Sequence, residues 1–180
     1  MSNKNNDRDT IKVVCRIRPE NHLELGGNYS RCVEYTEKNI CVECQANETS
    51  NFAGRHDFAF DRIYGPDSFQ KDVFEEVGAP IIKGILDGFN GTIFAYGQTG
   101  SGKTFTMEGP DHNDEDLKGM IPRMFARLFE LIEEADDDIE FTVKVSYMEI
   151  YMEKIMDLLN PKNTNLLVRK DKTNGVFVKD

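Results

Sequence analysis

The run Gly97-Gln98-Thr99-Gly100-Ser101-Gly102-Lys103-Thr104 fits the spacing G-x-x-x-x-G-K-[ST], and no other feature constrains the fold of this chain as much. Glycines let successive backbone N–H groups turn inward around a phosphate, lysine adds a point charge, and a threonine hydroxyl can ligate Mg²⁺. Such a loop needs a buried strand running into it and a helix leaving it. Both flanks read that way. Thr92-Ile93-Phe94-Ala95-Tyr96 is a short apolar run rich in β-branched and aromatic residues, which predicts a buried strand. Lys103-Thr104-Phe105-Thr106-Met107 predicts the start of a helix whose unpaired N–H groups face an anion. Upstream, Phe74, Val77, Ile81 and Ile85 recur at helical spacing, and Gly88, Asn90 and Gly91 turn the chain. Helix, turn, strand, phosphate loop and helix follow in the order that a nucleotide-binding α/β sheet requires.

A length of 180 residues with 39% hydrophobic content predicts one domain with its own core. No stretch of 18 apolar residues occurs, so no membrane insertion is expected. The first ten residues are polar, lack the apolar stretch of a secretory signal, and read as a disordered tail over 1–10. The net charge of −10 argues against broad nucleic-acid binding. Much of the acid lies in Asp111–Asp116 and Glu133–Asp138, which read as solvated loops.

The cysteines are Cys15, Cys32, Cys41 and Cys44. Cys41 and Cys44 have C-x-x-C spacing but no second pair, and His22 and His56 lack ligand spacing to them. Alternation of Ile40, Val42 and Cys44 predicts a strand that sends Cys41 and Cys44 to opposite faces, so all four read as reduced structural residues of a cytosolic protein. The sequons at Asn47 and Asn90 then never meet the glycosylation machinery.

Along the chain, Ile11 to Ile17 predicts a strand stopped at Pro19, and residues 20–58 predict a small lobe of hairpins. Phe58 to Tyr64 predicts a further strand. Ser68 or Asp67 is placed to cap the helix beginning near Phe69, which Pro80 bends or divides. Gly109 to Gly119 forms an acidic insertion. A helix follows from Pro122 to about Ala135, with Met124, Phe125, Leu128, Leu131 and Ile132 on one face. Phe141 to Glu149 alternates as a two-faced strand, and Asn174-Gly175 predicts a hairpin turn between two apolar runs.

Four segments in order make the chain resemble the kinesin motor domain, from about residue 11 to 180. They are Val14-Cys15-Arg16-Ile17-Arg18-Pro19; Phe60-Asp61-Arg62-Ile63-Tyr64 followed by Gln70, Val73 and Phe74; Asn90 through Thr104 with Met107-Glu108-Gly109; and Gly119–Arg123 with Ser146–Leu159. Their wording is most similar to conventional transport kinesin. The resemblance implies an α/β P-loop NTPase fold, a kinesin-type central mixed sheet flanked by helices, with only the N-terminal half present. It implies that ATP or ADP is held by Gly97, Gln98, Thr99, Gly100, Ser101, Gly102, Lys103 and Thr104. Lys103 stabilises the γ-phosphate and Thr104 holds Mg²⁺. Arg16, Arg18 and Pro19 line the adenine side, where a guanidinium can stack. Phe105 stands where many kinesins carry histidine or tyrosine, and can stack but not donate a hydrogen bond. Tyr96 reads as core packing and Glu149 as structural.

The resemblance further implies an ATP-driven microtubule motor of the cytoplasm and cytoskeleton, with microtubules as partner. Hydrolysis needs groups that hold the attacking water and sense the γ-phosphate. The family's N-x-x-S-S-R-S-H and D-x-A-G-x-E motifs supply them, and neither occurs in these residues. The main microtubule-binding elements are missing as well. The resemblance also places the neighbours of the phosphate-loop strand in the C-terminal half, so these residues read as a portion of a motor domain. A truncated, non-motor nucleotide-binding or interaction module is the competing reading. A small phosphate-loop kinase fits neither R-x-R-P nor the segment from Tyr147 to Leu159.

Overall fold

The β-type run near the N-terminus forms a short strand, β1 (Val14–Arg16), and helix α1 (His22–Leu25) follows. The structure, a computed structural model, describes residues 11–27, 32–44, 53–173 and 175–179. The tail over 1–10, the Asn47 sequon and Asn174 lie outside them. The chain divides between Glu134 and Ala135 into two compact units.

In the first unit, β2 (Val33–Tyr35), β3 (Asn39–Cys44) and β4 (Gly54–Ala59) make the expected small antiparallel lobe, with Ile40 opposite Phe58 and Tyr35. Cys41 is buried on β3 and Cys44 is half-buried. The single strand expected from Phe58 to Tyr64 is broken at Phe60-Asp61, because Phe60 N–H donates to Lys38 O (2.8 Å) and Asp61 N–H to Val13 O (2.9 Å). The chain thus leaves the lobe and enters β5 (Arg62–Tyr64), which pairs in parallel with β1, Cys15 opposite Ile63.

A helical run follows in three pieces: α2 (Gln70–Val73), a π turn (Phe74–Gly78) and α3 (Ala79–Leu86). The expected cap by Ser68 or Asp67 is corrected. Phe69 occupies the cap position with no side-chain bond, and Ser68 O instead accepts from Arg16 (3.2 Å). Pro80 explains the division. An α-helix would pair Glu76 O with the N–H of residue 80, which proline lacks. Lys12 Nζ donates to that carbonyl (3.1 Å). Its side chain also pairs with Glu76 Oε1 (3.2 Å), and Tyr64 Oη donates to Oε2 (2.9 Å). Burial pushes the Glu76 carboxyl up, but the bonds from Tyr64 and Lys12 and the Lys12 and Arg62 charges outweigh it and hold the group below its ordinary range. Burial, helped by Glu76, raises Tyr64.

After the phosphate loop come α4 (Lys103–Met107) and α5 (Met120–Glu133). Buried Tyr64, Val73, Phe74 and Met120 form the centre of this unit, with Val14, Val77, Ile93, Met107 and Met124 packed against them. The phosphate loop therefore rises from a platform of β1, β5 and the broken helix. The acidic insertion is pinched at its base, where Gly119 N–H donates to Glu108 O (2.9 Å). Arg123 Nε donates to Lys118 O (3.0 Å) and its Nη2 to Glu115 O.

The expected strand Thr92–Tyr96 is not part of a ladder among the described residues. Ile93 points into the core, but Phe94 is 77% and Tyr96 95% exposed. Tyr96 as core packing is therefore corrected. Apolar composition reports what a strand requires on its faces, not which strand sits beside it. A ladder exists only where another backbone supplies the N–H and C=O groups.

The second unit is a four-stranded antiparallel sheet, β6 (Met148–Tyr151), β7 (Lys154–Asp157), β8 (Thr164–Asp171) and β9 (Gly175–Lys179). The strand expected from Phe141 to Glu149 is confined to its last two residues. Residues 141–147 have no ladder partner among the described residues, though Tyr147 O accepts from Leu158 N–H (2.8 Å). Met152 and Glu153 turn β6 into β7 with φ of 48° and 62°, the left-handed pair of a two-residue hairpin. β8 and β9 form the expected hairpin, Asp171 opposite Gly175. Among the described residues no helix is long and apolar enough to cross a membrane.

Candidate phosphate-binding site

The loop turns tightly before α4. Ser101 N–H donates to Gln98 O (3.1 Å), and Thr106 N–H to Gly102 O (2.9 Å), beginning the helix. Gly102 sits at the cap of α4 with φ 96°, a left-handed conformation that costs an L side chain about 1–2 kcal/mol. At Gly97 a Cβ would collide with Ser101 Oγ. Glycine at these positions keeps the inner face of the loop lined by backbone.

Lys103 Nζ donates to Gly97 O (2.8 Å) and Gln98 O (2.9 Å), so its ammonium is folded into the loop it closes. Thr99, Gly100, Gly102, Lys103, Thr104 and Phe105 line a cavity of about 320 Å³ that opens to solvent. That volume lies at the lower end of small-molecule sites. The lining brings together an ammonium, a hydroxyl suited to a hard cation, a backbone-lined turn and an aromatic ring. This donor set fits a polyphosphate with a planar group attached, and Thr104 fits as a protein ligand to Mg²⁺.

Arg16 reaches the cavity through Phe105. Its guanidinium carbon stands 5.1 Å from the centre of the Phe105 ring. The same guanidinium donates to Gln70 Oε1 (2.7 Å), Thr106 Oγ1 (3.1 Å) and Ser68 O (3.2 Å). Burial pulls Arg16 down from its ordinary value and Tyr64 partly offsets this. Arg18 lies beside the loop, its Cβ 4.0 Å from where a Cβ on Gly102 would stand. Pro19 is exposed next to it, and Arg18 Nη1 donates to Pro19 O (2.9 Å).

Two residues at this site escaped the sequence reading of the chemistry. Gln70 is 4% exposed, the one buried polar side chain among the described residues. The available signal was an amide on the same helical face as Val73, Phe74 and Val77. Glu24 is the other. Both its carboxylate oxygens accept from Arg18, Nη1 to Oε2 at 2.7 Å. Oε2 also accepts from Asn21 N–H (2.8 Å), while Asn21 Oδ1 accepts from Leu23 and Glu24 N–H (2.9 and 3.0 Å). This is a capping box, legible as Asn21-x-x-Glu24 but set on a helix of only four residues.

The bonds from Arg18 and Asn21 hold Glu24 at about 2, against an ordinary 4.5. A carboxyl depressed on folding contributes its stabilisation in full above about 4.5 and loses it as pH falls through about 2. An NMR titration of the Glu24 side-chain carbon is expected to show a midpoint near 2, returning to the ordinary carboxylate range in Arg18→Ala. A midpoint near 4.5 in the unsubstituted protein would show that the clasp is not held in solution.

Comparison with known proteins agrees with this geometry. A family model described as the kinesin motor domain matches residues 16–180. A kinesin heavy chain of Syncephalastrum racemosum is 48% identical over 171 residues, covering 95% of this chain and 18% of that protein. Kinesin-like protein 3 of Schizosaccharomyces pombe is 50% identical, covering 94% and 29%. Kinesin-1 heavy chain of Rattus norvegicus is 44% identical, covering 94% and 16%. A solved structure of a fast kinesin superposes with a TM-score of 0.85 at 43% identity, covering 95% of this chain and 47% of that one. The chain thus spans less than a third of these curated relatives and about half of the solved structure.

Proposed function

The chain belongs to the kinesin motor-domain family, with its P-loop NTPase fold, and on that premise we propose that residues 11–180 are the nucleotide-binding portion of an ATP-driven microtubule motor. The observation that carries this is the Gly97–Thr104 loop, with the Lys103 ammonium folded into it and Phe105 on the wall of the same cavity.

Backbone N–H groups from Gly97, Gln98, Thr99, Gly100, Ser101 and Gly102 bind the phosphates of ATP or ADP. Lys103 exchanges its carbonyl partners for phosphate oxygens and stabilises the γ-phosphate. Thr104 is the protein ligand to Mg²⁺, which neutralises charge on the phosphate oxygens. Phe105 with Arg16, and Arg18 with Pro19, form the purine side. The partner is the microtubule and the setting the cytoplasmic cytoskeleton. Groups that hold the attacking water are not among these residues, so hydrolysis and force belong to the whole motor.

The test is phosphate release by the full-length protein with and without microtubules, alongside ADP binding. Microtubule stimulation together with ADP binding is expected. Residues 1–180 by themselves are expected to give little or no stimulation. Strong stimulation from them alone would overturn this division of labour, and failure of the full-length protein to bind ADP would overturn the nucleotide site.

A further inference from the structure

We propose that Gln70 is a positioning residue for the purine side of the pocket, a role that rests on reading the cavity as a nucleotide site. Its side-chain amide joins the two parts of a stack. Oε1 accepts from Arg16 Nη1 (2.7 Å), while Nε2 donates to the main-chain oxygen of Phe105 (2.6 Å) and to Leu117 O (3.3 Å). The guanidinium of Arg16 lies over the ring of Phe105. One buried amide therefore fixes a cation through its side chain and the ring beneath it through its backbone.

The arrangement is over-determined in a way that packing alone does not require. Arg16 is fastened a second and third time, to Thr106 Oγ1 and Ser68 O. Phe105 belongs to the cavity lining and keeps 43% of its surface exposed, so its ring is held from behind while remaining accessible. A ring fixed in advance loses little freedom when a flat base stacks on it. Phosphate recognition by Gly97–Thr104 does not pass through Gln70. Loss of Gln70 therefore acts on the base and leaves the phosphates alone.

The probes are ADP and inorganic tripolyphosphate, the second a phosphate chain with no base, each titrated against the full-length protein. Gln70→Met keeps length and volume but removes the donor and the acceptor. It is expected to weaken ADP about tenfold, the effect of losing one charge-assisted hydrogen bond. Tripolyphosphate affinity stays within about twofold, since its recognition lacks the stacking contribution. Gln70→Glu keeps an acceptor for Arg16 but sets a second acceptor oxygen against the Phe105 and Leu117 carbonyls, so it frees the ring and is also expected to weaken ADP about tenfold while leaving tripolyphosphate within about twofold. It decides the matter if the methionine variant fails to fold. Equal weakening of both ligands, or an unchanged ADP affinity, overturns the proposal. An unsubstituted protein that binds neither ligand overturns the nucleotide site itself, and with it the role of Gln70.

Discussion

Lys103→Ala is expected to weaken ADP and ATP binding by at least about a hundredfold, the largest single-residue effect on function in this chain. In the proposed nucleotide site the ammonium supplies charge-assisted hydrogen bonds to phosphate oxygens, each contributing about 1.5–3 kcal/mol. Two such bonds correspond to two or more decades in affinity. A second effect adds to the first. Lys103 Nζ bridges Gly97 O and Gln98 O, so its removal also loosens the loop proposed to bind the phosphates. Arginine is no substitute, because its planar fork is larger than a point charge folded into a tight turn. Titration with a fluorescent ADP analogue measures the loss. A change smaller than tenfold would mean that the ammonium fastens the loop and does not carry the phosphate contact.

Gly109→Ala is expected to cost about 3 kcal/mol locally, the sum of a left-handed conformation and a steric collision. Gly109 has φ 85°, and a methyl group there would overlap Leu117 O and stand 2.6 Å from Gly119 N. Both obstacles are backbone, which cannot swing aside as a flexible side chain does. The bond from Gly119 N–H to Glu108 O must then lengthen or break. Exchange of the Gly119 amide hydrogen is expected to accelerate about a hundredfold, the equivalent of that cost. Gly84→Ala provides the contrast. Gly84 lies within α3 with nothing near its missing Cβ, so alanine is expected to stabilise by about 0.5–1 kcal/mol through helix propensity alone. Unchanged exchange at Gly119 in the Gly109 variant would show that the base of the insertion is soft.

Local signals in the chain carried much of the fold. The phosphate loop, the helix after Gly119, the hairpin lobe, the break before Pro80 and the β8–β9 hairpin are all written in spacing and turn chemistry. What could not be read was pairing. Thr92–Tyr96 and residues 141–147 have strand composition, yet neither enters a ladder among the described residues, because hydrogen-bond partners are a property of distant chain. The site divides along the same line. Loop residues were legible because one contiguous motif holds them. Gln70 and Glu24 were not, since their roles depend on Arg16, Phe105 and Arg18 arriving from elsewhere. The cap at Ser68 is missing because the helix begins one residue later, which puts Phe69 and not Ser68 at the cap position.

The pinch between Glu108 and Gly119 also makes the acidic insertion a socket. Its two ends are joined by their own bond, and Arg123 with Gln70 fastens the returning turn at Glu115, Leu117 and Lys118. Asp114 is tied to the same side, its main-chain oxygen accepting from Leu117 and Lys118 N–H (3.1 and 3.0 Å) and its Oδ1 from Asp116 N–H (2.8 Å), which leaves residues 110–113 outside these ties. Exchanging them for a longer sequence changes little for the rest of the molecule, since doubling such a loop costs only about 0.6 kcal/mol of closure entropy. The base of the segment is bonded to Gln70 through Leu117 O, while its tip is a place where foreign sequence can be carried.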